Sequence, residues 1–283
     1  MNIQLNDNHW MPARGFGTAG LIDWQNNSNN VTEIIISAID IGYRHIDTSP
    51  IYGNEESIGL AIKNSIIDRE NLYVVSKLPA SHSGYADPKS TVESTLNKLQ
   101  LNYLDLYLLH WPIPEKTRQA WKQLESLRKD QLIKSIGVSN FDISKLKDLL
   151  AIAEIKPVCN QIEVHPYFYP TEVINFCSAN HIQIVGWSPL GAAQWKTELT
   201  NDACLQDSVI QKIANDHQAT AAQIILRWHF QHGLVTIPKS SSNRRIRKNF
   251  EIDQINLSQN DMKLIDSLNR GIRFGTVPDW LLD

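Results

Sequence analysis

Residues 15–20 read GFGTAG, and the fold turns on how that stretch is taken. As G-x-G-x-x-G it is the pattern with which a βαβ unit cradles a dinucleotide pyrophosphate. That fingerprint needs an apolar strand before the first glycine, a helix opening at the last, and an acidic residue about 20 positions later. Here Met11-Pro12-Ala13-Arg14 precedes it and LIDWQNNSNN follows. Pro12 and Arg14 suit a central parallel strand poorly, and an asparagine cluster is a poor helix start. Asp40 lies 20 residues beyond Gly20, but inside the helical pattern IISAID rather than at a strand end. The stretch is therefore read as the end of a first barrel strand, whose glycines allow close approach of a ligand or a neighbouring backbone.

Working outward, β-branched apolar runs alternate with amphipathic segments, as in successive βα units. Eight strand candidates are ARGFGT (13–18), YRHIDT (43–48), LYVVSKL (72–78), LDLYLLH (104–110), IKSIGVS (133–139), PVCNQIE (157–163), IQIVGWS (182–188) and LVTIPK (234–239). Helical patterns such as TEIIISAI, PKSTVESTLNKL, RQAWKQLESLRK and TAAQIILRWHF lie between them. Eight such pairs in 283 residues predict one (β/α)8 TIM barrel rather than an open sheet, with residues 1–283 as a single domain. NIQLNDNHWMP at the start predicts an added β-hairpin turning at NDN, and a short tail follows residue 269. Long loops at 79–88, 111–117 and 189–206 follow strand ends, where barrel enzymes place chemistry.

Composition narrows the partners. With 27 basic and 30 acidic residues the formal charge is -3, which gives no reason to expect nucleic acid or an anionic membrane. Cys159, Cys177 and Cys204 lack disulfide or zinc spacing and read as reduced thiols of a cytoplasmic protein. No apolar run of about 18 residues and no leader pattern is visible, so neither export by that route nor membrane spanning is expected. A small molecule is the expected partner, and no metal is called for.

In the barrel reading four polar residues meet at one rim: Asp47 at the end of strand two, Tyr52 in the loop after it, Lys77 at the end of strand three and His110 at the end of strand four. Neighbouring parallel strands lie about 4.8 Å apart, so these groups can share one site. A buried lysine and aspartate are costly unless paired, which predicts an Asp47–Lys77 pair. A cation beside the phenol favours the phenolate and eases proton donation, and a histidine can donate to an oxygen on which charge develops. The quartet suits proton delivery to an alkoxide. Each residue alone has a plainer reading: Asp47 as a helix cap, Tyr52 as packing, Lys77 as a lysine reaching water, His110 as a core histidine.

The stretches DTSPIYGNE (47–55), SKLP (76–79), LLHWP (108–112), GVSNF (137–141), NQIEVHP (160–166), WSPLG (187–191) and IPKS (237–240) run in order through nearly the whole chain. Together they resemble the successive signatures of the aldo-keto reductase family, and most of all its short bacterial, 2,5-diketo-D-gluconate reductase-like members. The resemblance implies an NADPH-dependent carbonyl reductase with Tyr52 as general acid and Asp47, Lys77 and His110 completing the tetrad. It implies that Ser139, Asn140 and Gln161 hold the nicotinamide carboxamide and that Trp187 stacks on its ring, where many animal members carry tyrosine. It further implies that Thr18 touches the ribose or nicotinamide region and that Ser188 and Leu190 contact the pyrophosphate under the loop SPLGAAQWKTELTND. In KSSSNRRIRKN (239–249), the match to the family pattern implies that Lys239, Ser240 and Arg245 grip the 2′-phosphate and that Asn249 reaches the adenine. That predicts NADPH over NADH.

Departures from the family pattern bear on the substrate. Ala19 stands where tryptophan is common, leaving an aromatic wall missing or supplied by Trp24; Asp130-Gln131 stand near the position of the glycine that usually precedes strand five, and Lys248 replaces a commoner acidic or amide neighbour of the adenine. Substrate choice is assigned to Ala19, Tyr52, His110, Trp111, the loop around Trp195 and the tail GTVPDWLLD with Trp280. Small polar aldehydes, α-keto aldehydes or sugar-derived ketones are the expected substrates, and the family suggests a monomer. Two other readings are a non-catalytic NADPH-binding regulator on the same barrel, and an isomerase or lyase using Lys77 as a Schiff base.

Overall fold

The computed structural model describes residues 1–21, 31–80, 85–191 and 203–275. Trp24, Trp195, Trp280 and most of the 189–206 loop lie outside them.

A hairpin of β1 (Asn2–Gln4) and β2 (Trp10–Pro12) precedes eight parallel strands. These are β3 (Gly15–Gly17), β4 (His45–Asp47), β5 (Tyr73–Leu78), β6 (Leu104–Leu109), β7 (Ile133–Ser139), β8 (Cys159–Glu163), β9 (Gln183–Trp187) and β10 (Val235–Thr236). They stand side by side in chain order, from β3 to β10. A parallel bridge between Arg14 and Thr236, with bonds from Thr236 N to Ala13 O (3.2 Å) and Gly17 N to Pro238 O (3.1 Å), joins the last strand to the first. The expected (β/α)8 barrel is the observed one.

The opening glycines serve that closure. A Cβ on Gly15 would come within 2.7 Å of Ile237 Cγ2, and one on Gly17 within 2.5 Å of the Ile237 carbonyl oxygen. Gly20 takes φ 75° in the turn that ends the segment, and Val31 rather than Gly20 opens the next helix. GFGTAG is a barrel seam.

Helices α1 (Val31–Ile41), α2 (Glu55–Asn64), α3 (Pro88–Leu99), α4 (Thr117–Lys129), α5 (Ile143–Leu150) and α6 (Thr171–Ala179) link successive strands up to β9. Short α7 (Ala203–Gln206), α8 (Ser208–Asp216) and α9 (Ala221–Gln231) lead to β10, and α10 (Asn243–Phe250) and α11 (Gln259–Asp266) follow it. Local chemistry sets several starts: Asp87 accepts from Ser90 N ahead of Pro88, and Thr220 with Gln223 forms a reciprocal cap on α9. The apolar stripes of these helices and the outward faces of the strands form one core layer, which buries Trp121 and Trp228.

The inward faces form a second core inside the barrel, and the hairpin seals its lower end. Leu5 and Met11 pack with Tyr73, Leu106, Val158 and Val235, while Asn6 Nδ2 donates to Pro157 O (3.0 Å) and Ser135 Oγ to Asp7 Oδ2 (2.7 Å). The turn falls at residues 6–8, with Asn8 at φ 70°. The end that remains open is the one on which the strands terminate.

Strand bounds are tighter than expected, most of all at LVTIPK, where only Val235–Thr236 is regular strand. Pro238 has no N–H to extend the ladder. Helix α8 was not picked out in the sequence; its SVIQKIAND pattern buries Ile210, Ile213 and Ala214. The Asp130-Gln131 turn forms without glycine, Gln131 taking φ 62°.

Candidate active site

The carboxyl ends of the strands surround a cavity of about 510 Å³. Its wall carries Thr18, Ala19, Asp47, Tyr52, His110, Trp111, Ser139, Asn140, Gln161, Trp187, Ser188, Leu190 and Lys239, all residues expected there. Gly275, the first residue of the tail to which substrate choice was assigned, also lines it, as do Gly17, Ile51, Pro189, Ile237 and Pro238, which were given no role from the sequence. Ile51 is signalled only by its place beside Tyr52.

Lys77 stands behind that wall with no solvent exposure. The β4–β5 ladder pairs Asp47 with Val75, and Lys77, two residues further along β5, points to the same barrel interior one step higher. Its ammonium donates to Asp47 Oδ1 (2.6 Å), Thr48 O (2.9 Å) and the Tyr52 hydroxyl (3.3 Å). Three partners use all three of its donors, which fixes its direction. The other Asp47 oxygen accepts from Gln161 Nε2 at 2.7 Å. Tyr52 closes a short 3-10 turn, Pro50–Tyr52, that is opened by a proline and ended by Gly53 at φ 68°.

Burial raises the Tyr52 pKa; Lys77 pulls it down, but Asp47 adds to the rise, and the net shift is upward. The expected eased phenolate is therefore not the resting condition, because desolvation outweighs the cation. The phenol keeps its proton. Burial works against the Lys77 charge, yet Asp47 and Tyr52 hold its pKa above the usual lysine value. Lys77 remains an ammonium, which disfavours the Schiff-base reading. His110 falls well below the ordinary histidine pKa through burial and the nearby Lys77 charge, so its ring is neutral at neutral pH. Its Nδ1 lies 3.3 Å from Ser49 Oγ; with Ser49 donating, Nε2 carries the ring hydrogen.

On the far side the polar groups are already linked to one another. Ser139 Oγ donates to Gln161 O (2.8 Å), Asn140 Nδ2 to His110 O (3.0 Å) and Trp187 Nε1 to Asn140 Oδ1 (3.0 Å). Asn140 takes φ 64° and Ser188 φ 46°, backbone turns that reverse the chain beside the cavity. Thr18 Oγ1 donates to Asp47 O at 3.0 Å. Asn54, unassigned from the sequence, clamps this rim by donating to Thr18 O and Leu21 O, both at 2.9 Å.

Ser240, Arg245 and Asn249 stand outside the cavity lining. Arg245 Nε donates to Ser240 Oγ (3.2 Å) on α10, whose first residue follows Ser242, and Asn249 is buried on the same helix. Burial and the Arg245 charge lower the Lys239 pKa, and no carboxylate among the described residues pairs with Lys239 or Arg245. Two uncompensated cations beside a helix N-terminus suit an anion.

A parallel barrel with a tyrosine, a buried lysine–aspartate pair and a neutral histidine at its open end defines a class of carbonyl-transforming barrel enzyme. The Aldo/keto reductase family matches residues 15–270, and the chain belongs to that family. Glyoxal reductase of Bacillus subtilis (strain 168) is 44% identical over 280 residues, covering 99% of this chain and 97% of that protein. Methylglyoxal reductase DkgA of Escherichia coli (strain K12) is 38% identical over 279 residues, covering 98% and 96%. The crystal structure of a Bombyx mori aldo-keto reductase in complex with NADP superposes with a TM-score of 0.90 at 31% identity, over 99% of this chain and 96% of that one. The chain is an NADPH-dependent oxidoreductase that reduces carbonyl groups, and the non-catalytic reading finds no support.

Proposed function

We propose that the chain reduces small polar carbonyl compounds, α-keto aldehydes foremost, with Tyr52 as the proton donor. The observation that carries this reading is the Lys77 ammonium fixed between Asp47 (2.6 Å) and the Tyr52 phenol (3.3 Å) at the cavity wall. Lys77 donates to the phenol oxygen, so the phenol's own hydrogen is free to turn toward the cavity. When that proton leaves for the carbonyl oxygen, the ammonium faces the resulting phenolate and stabilises it. His110, neutral, donates its remaining ring hydrogen to the same oxygen and orients it. The names of the Bacillus and Escherichia relatives support α-keto aldehydes, as does Ala19, which leaves room where a larger side chain would narrow the cavity.

The residues fit NADPH. Lys239, Ser240 and Arg245 offer unpaired positive charge and a hydroxyl to the 2′-phosphate, and Asn249 is assigned to the adenine. Trp187 presents a part-exposed indole, and Gln161, whose amide nitrogen is engaged by Asp47, keeps its amide oxygen for the carboxamide. Ser139 and Asn140 complete that contact, and Thr18, Ser188 and Leu190 the path between. NADPH, when bound, supplies the hydride that the carbonyl carbon accepts.

The same reading takes the 283 residues as one domain, a cytoplasmic monomer that binds no nucleic acid; the near-neutral charge and buried free cysteines support it, and no described helix is long and apolar enough to cross a membrane. Sedimentation of the purified protein tests the monomer.

Initial rates with NADPH and NADH on glyoxal, methylglyoxal, glyceraldehyde, diketogluconate and a steroid ketone test the function. Preference for NADPH and for the small carbonyls is expected. Equal rates with NADH, or preference for the steroid, would contradict it.

A further inference from the structure

We infer that Glu163 is a positioning residue for the substrate side of the cavity: it fastens the root of the C-terminal tail beside Trp187. The inference rests on the reading of this cavity as the carbonyl-reduction site.

Glu163 ends β8, two residues beyond Gln161 and on the same face of the strand. It is fully buried, and a buried carboxylate is costly unless donors surround it. Four do. Oε1 accepts from His165 Nε2 (3.1 Å), Phe274 N (2.6 Å) and Gly275 N (2.9 Å), and Oε2 from Arg273 Nε (3.1 Å). Burial alone would raise its pKa, but the bonds from His165, Gly275 and Phe274 hold it below the usual value, so the carboxylate is charged at neutral pH.

Three of the four donors belong to consecutive residues, Arg273 to Gly275, more than a hundred positions away in the chain. The Phe274 ring also lies against His165, with centroids 4.8 Å apart. Glu163 sits opposite Trp187 in the β8–β9 ladder, and Gly275 passes so close to that indole that a Cβ there would collide with it. Gly275 lines the cavity. One carboxylate thus sets how near the tail root stands to the indole, and so the width of the cavity on that side. The tetrad and the Lys239–Arg245 end share no bond with it.

The test is Glu163→Gln, which keeps the shape but turns an amide donor toward donors and removes the charge. At saturating NADPH, KM for methylglyoxal should rise by about tenfold, the loss expected for a disrupted charged hydrogen bond, with kcat within about threefold. Gly275→Ala keeps the carboxylate and its charge but adds a Cβ that would collide with Trp187 and crowd Glu163 Oε2, so it displaces the tail root by another route; it should give the same rise in KM and serves if Glu163→Gln does not fold. Glu163→Asp should recover part of the loss. Unchanged KM in both folded variants overturns the inference, as does a fall in kcat equal to the fall in kcat/KM. Wild-type protein that reduces no carbonyl would instead overturn the reading beneath it.

Discussion

The ammonium of Lys77 lies 2.6 Å from a carboxylate oxygen of Asp47, in a place where neither side chain meets solvent to any extent. Water supplies almost none of the solvation that either charge has lost. Each is therefore the other's main support, and the phenol of Tyr52 inherits an oriented cation as a result.

Removing both partners should cost less than the two single removals added together. Asp47→Asn or Lys77→Met alone leaves a buried charge and should destabilise the fold by about 3–5 kcal/mol, whereas the double variant should lose clearly less than the sum. Urea denaturation of the three variants measures this. Additive losses would mean that the pair is not coupled.

Cofactor choice should follow the unpaired cations. Arg245→Ala and Lys239→Met should each weaken NADPH by roughly 10–100-fold, the range for a lost charge-assisted bond, and leave NADH little changed. The comparison of KM for the two cofactors, repeated at raised salt, reports it. Equal losses for both cofactors would place the 2′-phosphate elsewhere.

Acid should destabilise the protein through its buried histidines. His45 and His110 have lowered pKa values and His229 falls to about 4, all chiefly from burial. Folded, they are neutral where the unfolded chain, titrating near pH ~6.5, takes up protons. Their contribution is full above that pH and is lost as pH falls, by about 1.4 kcal/mol per pH unit for each histidine. Glu55 runs the other way, since burial raises its pKa, but it is one group against three histidines. The urea midpoint should drop between about pH 7 and pH 5, with net proton uptake on unfolding. A flat midpoint over that interval would contradict it.

The order of the barrel was legible because eight apolar runs alternate with amphipathic ones, and the tetrad because Asp47, Lys77 and His110 stand at the ends of successive strands with Tyr52 in the loop after the first of these. The seam glycines were legible only as a need for close approach; that Ile237 fills the space follows from closure, a contact between chain ends that no local pattern encodes. The direction of the Tyr52 shift was missed for a related reason. Sequence placed the cation beside the phenol but not the depth of burial that outweighs it. Glu163 stood in NQIEVHP without a role, though a carboxylate two residues past Gln161 on a buried strand is itself a signal. Asn54 and Ser49 gave none, their partners being set by loop geometry.

The proposed reduction depends above all on proton delivery by Tyr52. Single-turnover loss of NADPH absorbance with methylglyoxal, for wild type and Tyr52→Phe at saturating NADPH, tests it most directly. The variant should bind NADPH as wild type does, and its chemical step should slow by about 10²–10⁴-fold. A variant that turns over at the wild-type rate would assign the proton to another group.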